Sequence, residues 1–215
     1  MLPYSLDALF SIVADLNTSH WYAVMACLAA GGVILAATVL PVIRPLDRVS
    51  GQLLAVGWIA VGGLFYGVHL APFFFAAPWF QWVFIAQGVL LGAFAFSGAA
   101  ALRRDVGPTT WLGRALMLYG LLGLPVLDLL LGSGWPAFRV VGLSPEPTVV
   151  FTCGWLLTRR PGTLVPALAF VPLLAGGAAG YAAMALAWWP DWGVAVAAAA
   201  GFAGSLVAVV RYVPR

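Results

Sequence analysis

Six long apolar runs organise the chain, at residues 21–42, 52–71, 79–102, 111–131, 163–187 and 192–212, and short stretches of Pro, Gly and Arg separate them. Each approaches the ~20 residues a helix needs to cross the ~30 Å hydrocarbon layer of a bilayer. A seventh run, residues 145–158, is shorter. At ~1.5 Å per residue it reaches only ~21 Å, about half a membrane. Residues 1–16 are of a different kind: Leu2, Leu6, Leu9, Ile12, Val13 and Leu16 fall near helical spacing, with Asp7 and Asp15 between them. That pattern predicts an amphipathic helix lying on the outer membrane interface.

Arg residues order the runs. Arg44 and Arg48 follow the first run, Arg103 and Arg104 the third, Arg159 and Arg160 the short one, and Arg211 and Arg215 the last. Excess basic charge marks cytoplasmic loops. The alternate connections, at the N-terminus and at residues 71–78, 132–144 and 188–191, hold a single Arg, Arg139. The alternation requires a crossing at the short run. The expectation is therefore an all-α polytopic transmembrane bundle of about seven spans, one of them half-length, with the N-terminus outside and the C-terminus in the cytoplasm. Residues 1–17 are read as the interfacial helix and 21–215 as the bundle, in one domain. The opening lacks the positive n-region of a cleavable leader and is expected to stay in the mature chain.

Composition agrees. Of 215 residues 63% are hydrophobic and 8% charged, against about 25% charged in soluble domains. The ten basic residues are all Arg, and the chain has no Lys, which excludes a retinal or pyridoxal Schiff base and a phosphate-loop amine. Arg scattered between apolar runs is a topology signal rather than a nucleic-acid face. The expected partners are the lipid bilayer and, through the uncharged loop 71–80 and an outer belt of Trp21, Trp79, Trp82, Trp135, Trp188, Trp189 and Trp192, other membrane proteins. Gly63/Gly67, Gly88/Gly92 and Gly176/Gly180 have the spacing of close helix contacts. Pro125, Pro166 and Pro172 predict kinks.

Chemistry concentrates in residues 132–158. A loop rich in Gly and Pro leads into a helix too short to start at the surface, and irregular backbone at membrane depth is tolerated only when buried in protein or lining a wet cavity. A helix N-terminus there presents unpaired N–H groups to whatever fills the cavity. Ser144, Pro145 and Glu146 form an ordinary helix start, yet Glu146 is also an intramembrane acid, a class tied to function. Asp128 and Arg139 complete the set. One reading pairs Asp128 or Glu146 with Arg139 to neutralise charge; the other makes a two-carboxylate cavity for a cation or proton. Ser133 and Ser144 would add hydrogen bonds. His20 and His69 fall at adjacent outer ends and are weak metal or haem candidates beside the bland reading of interfacial anchors. Cys27 and Cys153 sit in apolar runs as small buried hydrophobes. No CxxC, HExxH or GxSxG motif occurs, so no enzymatic activity is expected; a lipid-directed enzyme lacks any clustered His or acid motif.

Several residues also carry a resemblance: Leu2-Pro3-Tyr4-Ser5-Leu6, Trp58, Gly62/Gly63, Tyr66 and His69 before Phe73-Phe74, then Tyr119, Pro125, Gly132, Trp135-Pro136, Gly142, Pro145-Glu146-Pro147-Thr148 and Phe151-Thr152. Over nearly its whole length the chain resembles an uncharacterised bacterial family of multi-pass membrane proteins, domain of unknown function six-zero-six-four. The family pattern has Gly-His before an aromatic-Pro pair and then Pro-Cys-Pro; here Ser133 stands for the His and Glu146 for the Cys, so a soft-metal role implied for relatives would lose both ligands. The resemblance implies an architecture and no reaction. The function expected from the residues is binding or passage of a small solute or cation through an outward-facing cavity near the short fifth helix, with no cofactor. The alternative is a non-catalytic subunit of an electron-transfer or light-harvesting assembly, in which a haem or pigment would be expected.

Overall fold

A computed structural model describes residues 4–40, 46–103, 107–132 and 134–212. They form an all-helical transmembrane bundle, with one isolated β-bridge pairing Leu102 with Arg159. In chain order the helices are α1 (Leu6–Ser19), α2 (Trp21–Val39), α3 (Leu46–Ala60), α4 (Ala77–Phe96), α5 (Pro108–Leu118), α6 (Leu124–Leu131), α7 (Pro145–Leu157), α8 (Leu164–Ala185) and α9 (Pro190–Tyr212). The helix of α3 continues as a π-helical segment, Val61–Leu70, and α5 runs into α6 through a π-helical turn, Tyr119–Gly123. Six stretches are long and apolar enough to cross a membrane: Trp21–Val39, Val49–Leu70, Ala77–Phe96, Pro108–Leu131, Leu164–Leu186 and Pro190–Arg211. These are the six runs read from hydropathy, with shifted ends. The largest shift is at α4, which stops at Phe96 instead of continuing to residue 102. Ser97 Oγ donates to the Phe94 carbonyl and Gly98 takes φ 77°, the left-handed conformation that ends helices.

α7 lies at the hub. Every residue from Pro145 to Leu157 is buried except Glu146, which is partly so, and α5, α8 and α9 surround it together with the π turn Tyr119–Gly123. The chain reaches it without a helix. From the end where α1 lies, Asn17 Nδ2 donates to the carbonyls of Pro136 and Phe138 at 2.7 and 2.8 Å. Residues 137–145 then descend fully buried. Gly142, at φ 86°, meets Gly57 midway along its helix, where a Cβ on Gly57 would come within 3.0 Å of the Gly142 Cα. α7 ends at the far end, beside Leu102. Residues 134–157 thus lead from the α1 end towards the far end, first as irregular chain with turns and then as helix.

The apolar stripe of α1 is covered by protein. Leu9, Ile12, Val13 and Leu16 join the main core, so α1 roofs the bundle with the face expected to meet lipid. Ser5 caps it, accepting from Ala8 N at 3.2 Å. Gly88 and Gly92 on α4 face Ala55, and Gly176 and Gly180 on α8 face Ala198 and Ala195; these are the close approaches the spacing predicts. Gly63 stands in open space and its neighbour Gly62 makes the contact, against Gln81 and Ile85. Pro172 lies inside α8. Pro166 sits in the first turn, where a missing N–H costs no hydrogen bond, so no kink is required of it. Pro125 acts through the wide turn that precedes it.

α7 also depends on small residues. A Cβ on Gly154 would overlap the Gly113 carbonyl and the Met117 backbone of α5, whereas Gly177 faces open space. Gly154→Val should therefore lower the unfolding midpoint in detergent, at a cost of about 1–3 kcal/mol, and Gly177→Val should leave it unchanged; equal midpoints would contradict this packing.

Candidate functional site

One cation gathers the acids of the α1 end. The Arg139 side chain is 1% exposed and lies between two helices. Its Nε and NH2 donate to Asp128 Oδ2 and Oδ1 at 2.9 and 2.8 Å, the paired fork geometry that makes Arg–carboxylate contacts strong. The Arg139 backbone N–H adds a third bond to Asp128 Oδ2 at 2.9 Å. NH1 donates to Asp191 Oδ1, at the start of α9, at 2.6 Å. Glu146 Oε2 lies 3.6 Å from NH1, beyond hydrogen-bond length, and has no hydrogen-bond partner. One guanidinium thus faces three carboxylates, two of which it bonds.

The elements explain the arrangement. Asp128 comes one turn before the end of α6, after Pro125, and Asp191 occupies the first turn of α9. Arg139 belongs to the descending segment. The bonds therefore pin that segment to two helices and hold the N-terminus of α7 in place. Below Arg139 the segment closes on itself: Gly142 N and the Thr148 hydroxyl bond at 2.7 Å, and that hydroxyl donates to the Ser144 carbonyl at 2.7 Å.

Beside this cluster lies a cavity of about 240 Å³. Its walls come from α1 and the preceding Tyr4, from Phe65 and Tyr66 of the π segment, from Phe74 and Phe80, from an alanine face of α8, and from Pro145, Glu146 and Asp191. The aromatic side is continuous. Tyr4 meets Phe74 edge-on at 5.9 Å, Phe74 stacks on Phe80 at 5.9 Å, and Phe80 stacks on Tyr66 at 5.4 Å. Burial pushes the Tyr4 phenol up to about 12, with Glu146 and Asp191 adding to the effect, so it stays a neutral donor at physiological pH.

Of the residues proposed from sequence, Glu146 lines this cavity. Asp128 and Arg139 do not; they lie buried behind Glu146 as its electrostatic support. Ser144 departs from the expectation of a ligand-facing hydroxyl, because its Oγ accepts from Val140 N at 3.3 Å within its own loop. Ser133 lies outside the described residues. His20 and His69 do come together, edge-to-face at 5.8 Å, with His69 Nδ1 3.1 Å from Asp15 Oδ2, a latch between α1 and the π segment. Among the described residues no three His, Cys, Asp or Glu side chains are placed to hold a metal ion. Cys27 and Cys153 are free thiols, one against Gly142 and the other against Gly201. Sequence reasoning missed Asp191 and the aromatic wall. An acid directly after Pro190 at the head of an apolar run was the available signal for Asp191; nothing in the sequence distinguishes Phe74 from its neighbours.

The family model described as a family of unknown function (DUF6064) matches residues 6–213. No curated protein and no solved structure matches the chain.

Removing Arg139 leaves three buried acids facing one another. Arg139→Met should lower stability by about 3–5 kcal/mol, and Arg139→Lys, which keeps the charge but not the fork, should recover only part of it. Thermal unfolding in detergent checks both; a Lys variant as stable as the parent would remove the claim that the fork geometry matters.

Proposed function

Since the chain belongs to this family of unknown function, which brings an architecture and no activity, we propose from the site alone that it binds a small solute or cation in the cavity at the α1 end of the bundle. The observation that carries this reading is Glu146: a carboxylate at the N-terminus of a buried half-helix, on the wall of an aromatic-lined cavity, whose Oε2 has no hydrogen bond and only an ion-pair contact with Arg139 at 3.6 Å. A structural cap would be expected to satisfy its oxygens within the fold. Intramembrane acids are costly enough that an unsatisfied one points to use.

The mechanism is electrostatic. Asp128 and Asp191 take the hydrogen bonds Arg139 makes to carboxylates, and Glu146, held only by a longer ion pair, is the acid nearest Arg139 that is left to serve the cavity. Tyr4 and Leu9, at the head of the chain and on α1, cover the site; α1 is fastened at its other end by Asp15 to His69. Solute entry then requires movement of α1 or of the aromatic wall. No enzymatic step is part of this reading, and no resident cofactor is invoked.

The α1 end is assigned to the outside of a bacterial cytoplasmic membrane. Arg103, Arg159, Arg160 and Arg211 all lie towards the far end, and the single Arg of the α1 end is neutralised by its acids. Residues 132–158 supply the seventh crossing. A second reading, as a subunit of a larger membrane assembly, draws on the loop between α3 and α4. There Phe75 is 88% and Trp79 77% exposed, uncharged apolar surface available to lipid or to a partner.

Two outcomes are expected. In the purified protein, at least one member of a panel of small cations and solutes should raise the unfolding midpoint saturably, and Glu146→Gln should abolish that rise; an unresponsive wild type, or a response that survives in Glu146→Gln, would remove the reading. Reporter fusions should show the C-terminus in the cytoplasm and Trp135 outside, and the opposite pattern would reverse the assignment. An absorption spectrum of the native preparation tests the second reading, which requires a bound chromophore or co-purifying subunits.

A further inference from the structure

Three features of the cavity restrict what could fill it. The first is charge. Glu146 is the one member of the acid trio without a hydrogen bond to Arg139, and Asp191 also lines the wall. An anion would meet two carboxylates there, and a neutral solute would leave three carboxylates sharing the one positive charge of Arg139 in a desolvated place.

The second is hydration. Hard inorganic cations require about six or more oxygen ligands in exchange for their water. The wall has two carboxylates, of which Asp191 is already bonded to Arg139, and three phenols spread over separate elements, Tyr4 before α1, Tyr66 on the π segment and Tyr181 on α8; the rest is hydrocarbon and aromatic ring. The described residues hold no cluster suited to a metal ion. A weakly hydrated cation gives up little water, and the wall of stacked rings from Phe74, Phe80 and Tyr66 offers it an electron-rich, polarisable surface in place of plain hydrocarbon.

The third is shape. At about 240 Å³ the space falls below the ~300–1,000 Å³ of pockets that take drug-sized ligands. Opposite the rings, α8 presents Ala175, Ala178, Ala179 and Ala182, a flat apolar strip with nothing to hydrogen-bond. We propose that the cavity binds a small organic ammonium ion, its charged nitrogen between Glu146 and the aromatic wall of Phe74, Phe80 and Tyr66 and its hydrocarbon part against the alanines of α8. This rests on the reading of the cavity as a solute site and names the class of solute. Glu146 supplies the countercharge, and Arg139 lies behind it on the side away from the ligand.

The test uses the full-length protein in lipid nanodiscs, with calorimetry and thermal unfolding as readouts. The probes are tetramethylammonium, choline, benzylammonium, the uncharged choline isostere 3,3-dimethyl-1-butanol, and sodium, potassium and calcium chlorides. At least one ammonium ion should bind saturably. The neutral isostere should bind at least tenfold more weakly than choline, and the inorganic cations more weakly than the ammonium ions. Glu146→Gln should weaken ammonium binding at least tenfold. Phe74→Leu, at a half-buried position, should weaken ammonium binding several-fold and leave the isostere unchanged; the unliganded midpoint of each variant reports folding separately. If the isostere binds as tightly as choline, if Phe74→Leu affects both alike, or if only an inorganic cation or another solute binds, the ammonium assignment is overturned while the solute site survives. If no probe or solute binds at all, both fall.

Discussion

The bonds from Arg139 to Asp128 and Asp191 are the constraint on which the rest of the molecule depends. A guanidinium buried to 1% exposure is tolerable only if carboxylates replace its water, and the two that do so belong to α6 and α9. Neither partner is near Arg139 in sequence. Their meeting fixes where the irregular segment enters the bundle, and hence the depth at which α7 begins and the place of Glu146. The polar satisfaction required of non-helical backbone inside a membrane is met a few residues further on by Thr148, which accepts from Gly142 and donates to Ser144.

The cavity is a by-product of three local departures from regular helix packing. α8 brings four alanines and Tyr181 to one side. The π segment Val61–Leu70 widens its helix and turns both Phe65 and Tyr66 towards the interior, as wide turns commonly do at functional sites. α7 begins below the roof made by α1, so the space above its first turn stays open to Glu146.

Hydropathy made the six long helices legible, because lipid imposes on each the same requirement for length and apolarity. It misjudged the end of α4, where the apolar residues continue past Gly98 although the helix does not. α7 was legible only through the alternation of Arg pairs, since a short run holding Thr148, Thr152 and Thr158 has no membrane signature of its own. The hydroxyls serve inside: Thr152 accepts from Trp58 Nε1 at 2.7 Å and donates to the Thr148 carbonyl. The acids of the site were legible in part, Asp128 and Glu146 by their rarity; Asp191 offered only its place after Pro190 at the head of an apolar run, and otherwise reads as a loop residue. The aromatic wall was legible only through the family resemblance, which includes Tyr4, Tyr66 and Phe74 but assigns them no role. Phe74 faces the cavity and Phe75 is 88% exposed, yet in a chain with 13 Phe the two look alike. The Arg residues that signal topology are also structural: Arg159 is buried over the Trp155 ring at 4.6 Å, with NH1 donating to the Ala100 carbonyl.

A helix sheathed on every side by its own protein never touches a lipid tail. Changes in bilayer thickness, which tilt or strain spans in proportion to their mismatch, can act on the rim of this molecule but reach α7 only through its neighbours. The hub is insulated from the solvent in which the rim is dissolved, so its sequence is free to follow the demands of the interior, and the acid it carries is held at a depth that membrane composition does not set directly.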